Sequence, residues 1–125
     1  MKNVQEMQKH IESLCDKHRI EVCSHSSGGR AWRKKRRIAI RPVKSSITYA
    51  IALHEIGHIL GDHQGGTRLD KEYGAWCWAK KNAATWSHTM ENAMRKRLRN
   101  YIDRARNHKT AKCPENHPIF SLLEV

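Results

Sequence analysis

The chain has 125 residues, a length that suits a single domain over residues 1–125 with one hydrophobic core. It has no apolar stretch near the length of about 20 residues that spans a membrane, and its first ten residues lack the apolar segment of a secretory signal, so we expect a cytoplasmic protein without membrane association. Twenty-four Lys and Arg residues against twelve Asp and Glu residues give a formal charge of +12, which favours nucleic acid or acidic protein surfaces as partners.

Periodicity and turn residues predict an α+β fold, with several helices packed on a small β-sheet. The predicted elements are, in chain order, a helix over residues 3–17, strands over 20–23, 30–32 and 37–40, and helices over 47–60, 71–86 and 89–107. Pro42 ends the sheet, and the serine pair Ser45 and Ser46 supplies a cap for the next helix. Pro114 and Pro118 predict that the tail is an extended segment lying across the surface.

The segment His54-Glu55-Ile56-Gly57-His58 is an HExxH motif. Residues four apart in a helix project from the same face, so the imidazoles of His54 and His58 can reach one Zn²⁺ ion. Glu55 is rotated from His54 by about 100°, which suits contact with a zinc-bound water rather than with the ion itself. The motif therefore predicts His54 and His58 as zinc ligands and Glu55 as the general base.

A catalytic zinc site uses three protein ligands, so one more ligand must lie further along the chain. Glu72 is the preferred candidate, because it shares a helix face with alanines that would let this helix approach the HExxH helix closely. His63 is an alternative, although Gln64 occupies the position where the longer HExxHxxGxxH motif has its third histidine. Asp70 is a further option, and the residue pattern alone does not choose among the three.

The HExxH segment and its neighbours carry a resemblance to a known family. The predicted strand over 37–40, the HExxH helix and the segment Glu72-Tyr73-Gly74-Ala75-Trp76-Cys77-Trp78-Ala79 together resemble the ImmA/IrrE family of small zinc metallopeptidases, over about residues 37–86. Gly74 is a departure, because the family commonly has a carboxylate there. The resemblance implies a minimal zincin-like domain and a cytosolic endopeptidase acting on proteins, often DNA-binding repressors of the helix-turn-helix type.

The predicted activity is that of a zinc metalloendopeptidase, in which a zinc-bound water attacks a peptide bond of a protein substrate and Glu55 accepts the proton. An extended substrate could pair with a sheet edge, for which residues 30–32 and 37–40 are the candidate strands. Tyr73, His63 and His88 are all candidates for stabilising the oxyanion, and their spacing does not select one.

Two basic clusters suggest a further partner. Their members are Arg30, Arg33, Lys34, Lys35, Arg36 and Arg37 in the first cluster and Arg95, Lys96, Arg97, Arg99, Arg104, Arg106 and Lys109 in the second. Trp32 lies inside the first cluster, and basic residues interleaved with an aromatic residue suit contact with nucleic acid. A nucleic-acid-associated binding protein with a structural zinc site is therefore an alternative function. A DNA-recruited, SprT-like protease with His63 as the third ligand would combine both functions.

Overall fold

The computed structural model describes residues 3–107 and 114–123, and it confirms a mixed α+β fold. Its elements are, in chain order, α1 (Val4–Lys17), β1 (Glu21–Ser24), β2 (Gly29–Trp32), β3 (Arg37–Ile40), α2 (Ser46–Leu60), α3 (Arg68–Asn82), α4 (His88–Asn107) and a 3₁₀-helix (Pro118–Leu123). No helix within these two ranges is long and apolar enough to cross a membrane. Lys109 of the second basic cluster lies outside the described residues.

The three strands form one sheet in the order β1-β3-β2. β3 is the central strand: Ile38 lies opposite Val22 of β1 in a parallel pairing and opposite Ala31 of β2 in an antiparallel pairing. Both edges of β3 are therefore used, and the expectation that residues 37–40 could offer an edge to a substrate is wrong. Among the described residues β2 pairs only with β3, so the other candidate strand does have a free edge.

Caps define where the helices on either side of the HExxH motif begin. Ser45 caps α2 as predicted, because its side chain accepts a hydrogen bond from a backbone N–H in the first turn. Thr67 and Asp70 cap α3 reciprocally, each side chain accepting a hydrogen bond from the other's backbone N–H. The predicted span 71–86 is therefore wrong at both ends. The cap makes the helix begin three residues earlier, at position 68, and the extended conformation of Ala83 ends it at position 82.

α2 lies at the centre of the molecule, where it contacts α1, α3, α4, β2 and β3. The largest completely or almost completely buried side chains are Tyr49, Leu53 and Ile56 of α2, Ile38 of β3, Trp76 of α3, Met90, Met94 and Leu98 of α4, and Ile119 of the tail. Burial of a side chain of this size stabilises the fold by about 1.5–3 kcal/mol. Packing against five other elements therefore holds the motif-bearing helix in place.

Glu91 fastens the connection between α3 and α4. Its carboxylate accepts hydrogen bonds from Trp86 Nε1 at 2.7 Å and from Arg95 Nε at 3.0 Å, and it forms an ion pair with Lys80 Nζ at 3.1 Å. Burial alone would raise the pKa of Glu91, but these three donors outweigh it and hold the pKa below its usual range. The network fixes the first turn of α4 against the last turn of α3.

The tail is not the extended segment that its prolines predict. Residues 118–123 form a 3₁₀-helix, in which Pro118 is tolerated because the first position of a helix needs no backbone donor. Ile119 is completely buried, and its N–H donates to His117 Nδ1 at 3.0 Å. His117 Nε2 in turn donates to Asp70 Oδ1 at 2.6 Å. These contacts attach the tail to the start of α3.

Candidate metal centre

Close packing of α2 on α3 brings the HExxH motif next to Glu72. Gly57 allows this approach, because a Cβ at position 57 would lie 3.0 Å from the carbonyl carbon and Cα of Ala75 and would overlap its carbonyl oxygen. Ala75 and Ala79 are completely buried at this interface, as expected from the small residues on that face of α3. The geometry of the site therefore depends on a helix contact that only glycine permits.

His54, His58 and Glu72 converge at this interface, and the group could hold a metal ion. The two Nε2 atoms are 3.1 Å apart, and the Glu72 carboxylate lies 2.7 Å from His54 Nε2 and 3.4 Å from His58 Nε2. All potential ligand atoms are within 4.8 Å of one another. Ligands with bonds of about 2.0–2.1 Å in tetrahedral geometry are roughly 3.3 Å apart, so the three donors fit one small ion.

Gln64 orients His58. Its Oε1 lies 3.0 Å from His58 Nδ1, while its amide nitrogen donates to the backbone oxygens of Asp62 at 3.0 Å and Lys71 at 2.8 Å. Because Oε1 can only accept a hydrogen bond, His58 carries its proton on Nδ1. The lone pair of Nε2 then points towards His54 and Glu72, the other two potential metal ligands. Sequence analysis missed this role. The available signal was that Gln64 occupies the third-histidine position of the longer motif.

Trp76 supports His54 from the other side. The two rings are stacked, with centroids 4.2 Å apart and planes inclined by 17°. Trp76 is 1% exposed, so its indole cannot move without disturbing the core. The sequence pattern does not indicate that this ring fixes the orientation of a histidine.

The donors perturb one another's protonation. Burial alone would raise the pKa of Glu72, but the charges and hydrogen bonds of His54 and His58 outweigh it and hold the pKa well below its usual range. Burial alone would lower the pKa of His58, but the hydrogen bond and charge of Glu72 outweigh it and raise the pKa. Glu72 is thus a carboxylate facing the His58 imidazole, whose raised pKa favours its cationic form, and a bound cation would take over the role of that positive charge.

Glu55 lies beside the donors without joining them. It is 5% exposed, and its Oε1 lies 3.8 Å from His54 Nδ1. Burial raises the pKa of Glu55, and this effect outweighs the opposing charges of the two motif histidines. β2 covers the carboxyl closely, since a Cβ at position 29 would come within 2.6 Å of Glu55 Oε2. A buried carboxyl with a raised pKa is suited to accepting and returning a proton.

The remaining sequence candidates lie elsewhere. His63 is exposed in the turn after α2, in a left-handed conformation with φ 63°, and Asp70 pairs with His117; neither is part of the donor group in the described residues. His88 is exposed at the start of α4. Neither it nor Tyr73 is among the residues that line the cleft beside Glu55.

Position 74 requires glycine for a steric reason. A Cβ at position 74 would overlap the carbonyl oxygen of Asp62, so no side chain fits there. Gly74 lies against the turn that leaves α2 and next to Gly61. Glu72 reaches the histidines from two residues earlier in the same helix.

The donors open into a cleft with two recesses. The α4 recess has a volume of about 280 Å³, and the residues that α4 contributes to its wall are Arg97, Leu98, Asn100, Tyr101 and Arg104. The β2 recess has a volume of about 490 Å³, and its basic residues are Arg30, Arg33, Arg68 and Lys71. Both recesses are also lined by Gly29, His54, Glu55 and Glu72. A bound molecule could therefore extend from the donors in two directions.

The arrangement combines three donors for a metal ion, a buried carboxyl that can exchange a proton, and an open cleft beside both. The chain matches no family model, no curated protein and no solved structure.

Proposed function

We propose that the protein is a zinc-dependent metallopeptidase that hydrolyses peptide bonds of a protein substrate. The convergence of His54, His58 and Glu72 beside the buried carboxyl of Glu55 is the observation that carries this proposal. Two histidines and one carboxylate form a donor set used by catalytic zinc sites, which keep one position open, whereas structural sites use four protein ligands. The zincin-like fold implied by the ImmA/IrrE resemblance is part of the same proposal.

In this mechanism the residues of the site would have separate roles. A bound zinc ion would supply Lewis-acid chemistry at the peptide carbonyl. Glu55 would take a proton from the attacking water and pass it to the leaving amine nitrogen, a task for which its raised pKa suits it. Gln64 and Trp76 would keep His58 and His54 in place, so that the imidazoles need little reorganisation when the ion binds.

β2 offers the sheet edge that an extended substrate needs. Gly29, Arg30 and Ala31 of this strand line the cleft beside the donors. A peptide laid along the free edge would form main-chain hydrogen bonds, which hold a substrate without requiring one sequence. The bond to be cleaved would then cross the cleft next to Glu55. A DNA-binding repressor in the cytoplasm is the substrate class that the family resemblance implies.

A nucleic-acid-associated binding protein with a structural zinc site is the second candidate, favoured by the formal charge of +12. It predicts strongly salt-dependent binding of DNA or RNA that survives Glu55→Gln. The third hypothesis, a DNA-recruited SprT-like protease, would be favoured by His63 as a ligand, and the donor group contains Glu72 instead. The donor set therefore favours the first candidate.

The metal content of protein purified without a metal-affinity tag tests the site. We expect one zinc ion per chain in the wild type and its loss in His58→Ala and in Glu72→Ala, because each variant removes one of three ligands. His63→Ala is the matched control, since this nearby histidine lies outside the donor group and its removal should leave zinc bound. A wild-type protein without zinc would contradict the assignment, and so would loss of zinc in His63→Ala but not in Glu72→Ala.

Glu55→Gln separates metal binding from catalysis. The variant preserves the size of the side chain and should retain zinc, but it cannot accept a proton. Cleavage of an unfolded protein such as reduced casein should therefore fall by at least about 100-fold. Cleavage by Glu55→Gln at the wild-type rate would rule out Glu55 as the general base.

A further inference from the structure

The two recesses extend from the donors in opposite directions along α2. Ile51, about one turn before His54, lines the α4 recess, and His58, about one turn after it, lines the β2 recess. A chain that crosses the cleft beside Glu55 would therefore place one of its ends in each recess. Both recesses are lined by basic side chains, so the positive charge of the cleft is divided between two separate pockets.

In the α4 recess the positive charge comes from a defined stripe of α4. Arg97, Asn100, Tyr101 and Arg104 have the spacing i, i+3, i+4 and i+7, so they share one side of the helix, and all four line the recess. A different stripe of α4, which includes Leu98, is buried in the core. Neither Arg97 nor Arg104 forms an ion pair with another described residue.

In the β2 recess the charge comes from two elements that face each other. Arg68 and Lys71 lie in the first turn of α3, and Arg30 and Arg33 belong to β2 and the turn that follows it. All four side chains belong to exposed residues, and none of them pairs with a carboxylate of another described residue. The basic groups of this recess are therefore available to a bound anion.

We propose that the α4 recess and the β2 recess are subsites for acidic side chains, so that the protein selects peptides with Asp or Glu on both sides of the cleaved bond. This inference builds on the proposed peptidase function and adds the substrate class. Arginine and lysine bind carboxylates through charge-assisted hydrogen bonds, which are stronger than neutral ones. Such pairs give specificity and faster association even where they add little affinity individually.

The observations favour an acidic peptide over a nucleic acid. The basic groups are divided between two recesses of about 280 and 490 Å³, which suit individual side chains better than a duplex backbone. The Arg30 guanidinium lies 5.0 Å from the ring centroid of Trp32, so a face of the aromatic residue in the first cluster is already covered and is not free for stacking with a base. The free edge of β2 matches a peptide backbone.

Binding to zinc-loaded Glu55→Gln protein tests the inference without requiring turnover. The probes are two fluorescein-labelled peptides of about ten residues, long enough when extended to reach both recesses, that differ only in carrying Glu or Gln at the flanking positions. At low ionic strength we expect the Glu peptide to bind about tenfold more tightly than the Gln peptide, as measured by fluorescence anisotropy. A single-stranded DNA of similar length serves as the competing probe.

Paired charge substitutions locate the effect. Arg97→Gln with Arg104→Gln, or Arg68→Gln with Lys71→Gln, should each reduce the preference for the Glu peptide to about threefold. The control is Lys96→Gln with Arg99→Gln, which removes the same charge from the same helix α4 at exposed positions that do not line the cleft. This control should retain the full preference.

Three binding results would overturn the inference. They are equal affinity for the Glu and Gln peptides, a preference that the control reduces as much as the recess variants do, and tighter binding of the DNA than of the Glu peptide. None of these depends on cleavage, so the proposed peptidase function is tested separately by the wild-type protein. If the wild type cleaves both peptides at equal rates, the peptidase function stands and the acidic specificity is rejected.

Discussion

Substituting Gly57 by alanine tests whether the approach of α2 to α3 sets the positions of the donors. The new Cβ would lie 3.0 Å from two backbone carbons of Ala75 and would overlap its carbonyl oxygen. These atoms belong to a helix backbone, so they cannot rotate away as the end of a flexible side chain could. The two helices would have to separate by roughly 0.5–1 Å to restore ordinary contact distances.

Two effects on stability oppose each other in this variant. Alanine is a better helix former than glycine by about 1 kcal/mol. Overpacking a buried interface costs about 1–3 kcal/mol, and the upper end applies because the overlapping atoms are fixed. We expect a net loss of about 1–2 kcal/mol in the free energy of unfolding. The separation also exceeds the tolerance of about 0.2 Å in a metal–ligand bond, so zinc affinity should fall by at least about tenfold.

Urea denaturation followed by circular dichroism measures the loss of stability, and competition with a chromophoric chelator measures the change in zinc affinity. Gly65→Ala is the control, because a Cβ at position 65 meets nothing within 4 Å and the residue does not have a positive φ. This variant should be as stable as the wild type or more stable by up to about 1 kcal/mol. The reasoning would be refuted if Gly57→Ala matched the wild type in both stability and zinc affinity.

Three further predictions concern the surroundings of the donors and the α3–α4 connection. Gln64→Ala should weaken zinc binding by about 10- to 100-fold by removing the acceptor that orients His58, whereas Gly65→Ala in the same turn should leave the affinity unchanged; chelator competition distinguishes the two. Because Glu72 raises the pKa of His58, protons should begin to compete with zinc at a pH above the usual histidine pKa of about 6.5, and affinity titrated against pH should fall as the pH drops through that raised pKa. Glu91→Gln should lower the free energy of unfolding by about 1 kcal/mol at neutral pH. Since the folded pKa of Glu91 is depressed, this difference should shrink as the pH falls below the usual glutamate pKa of about 4.3 and vanish below the folded pKa. Urea midpoints that differ as much in acid as at neutral pH would contradict this prediction.

The helices and strands could be predicted largely from local pattern. The strand at residues 37–40 has the predicted bounds, and the helices around the HExxH motif and over residues 4–17 agree closely with the structure. The order of the strands could not be predicted in this way, because the parallel pairing of Val22 with Ile38 joins residues that are distant in the chain. The start of α3 was readable in principle, since Thr67 and Asp70 have the spacing of a capping box.

The candidate site also has features that local pattern predicts and features that depend on tertiary structure. His54, His58 and Glu55 follow from periodicity within one helix. The expectation that two small-residue faces pack together favours Glu72 as the third ligand but does not exclude His63 or Asp70. The contact of Gln64 with His58 depends on the path of the turn after α2, which no periodicity describes. The two basic recesses also depend on tertiary structure, because their side chains come from β2, α3 and α4.

All three donors of the candidate metal centre belong to one helical hairpin. His54 and Glu72 are separated by 18 positions in the chain, and β2 contributes no donor. A bound ion would therefore act as a crosslink that shortens the free loop between α2 and α3 and opposes its opening, much as a disulfide does. The backbone amides of the hairpin should therefore exchange their hydrogens more slowly when the ion is bound.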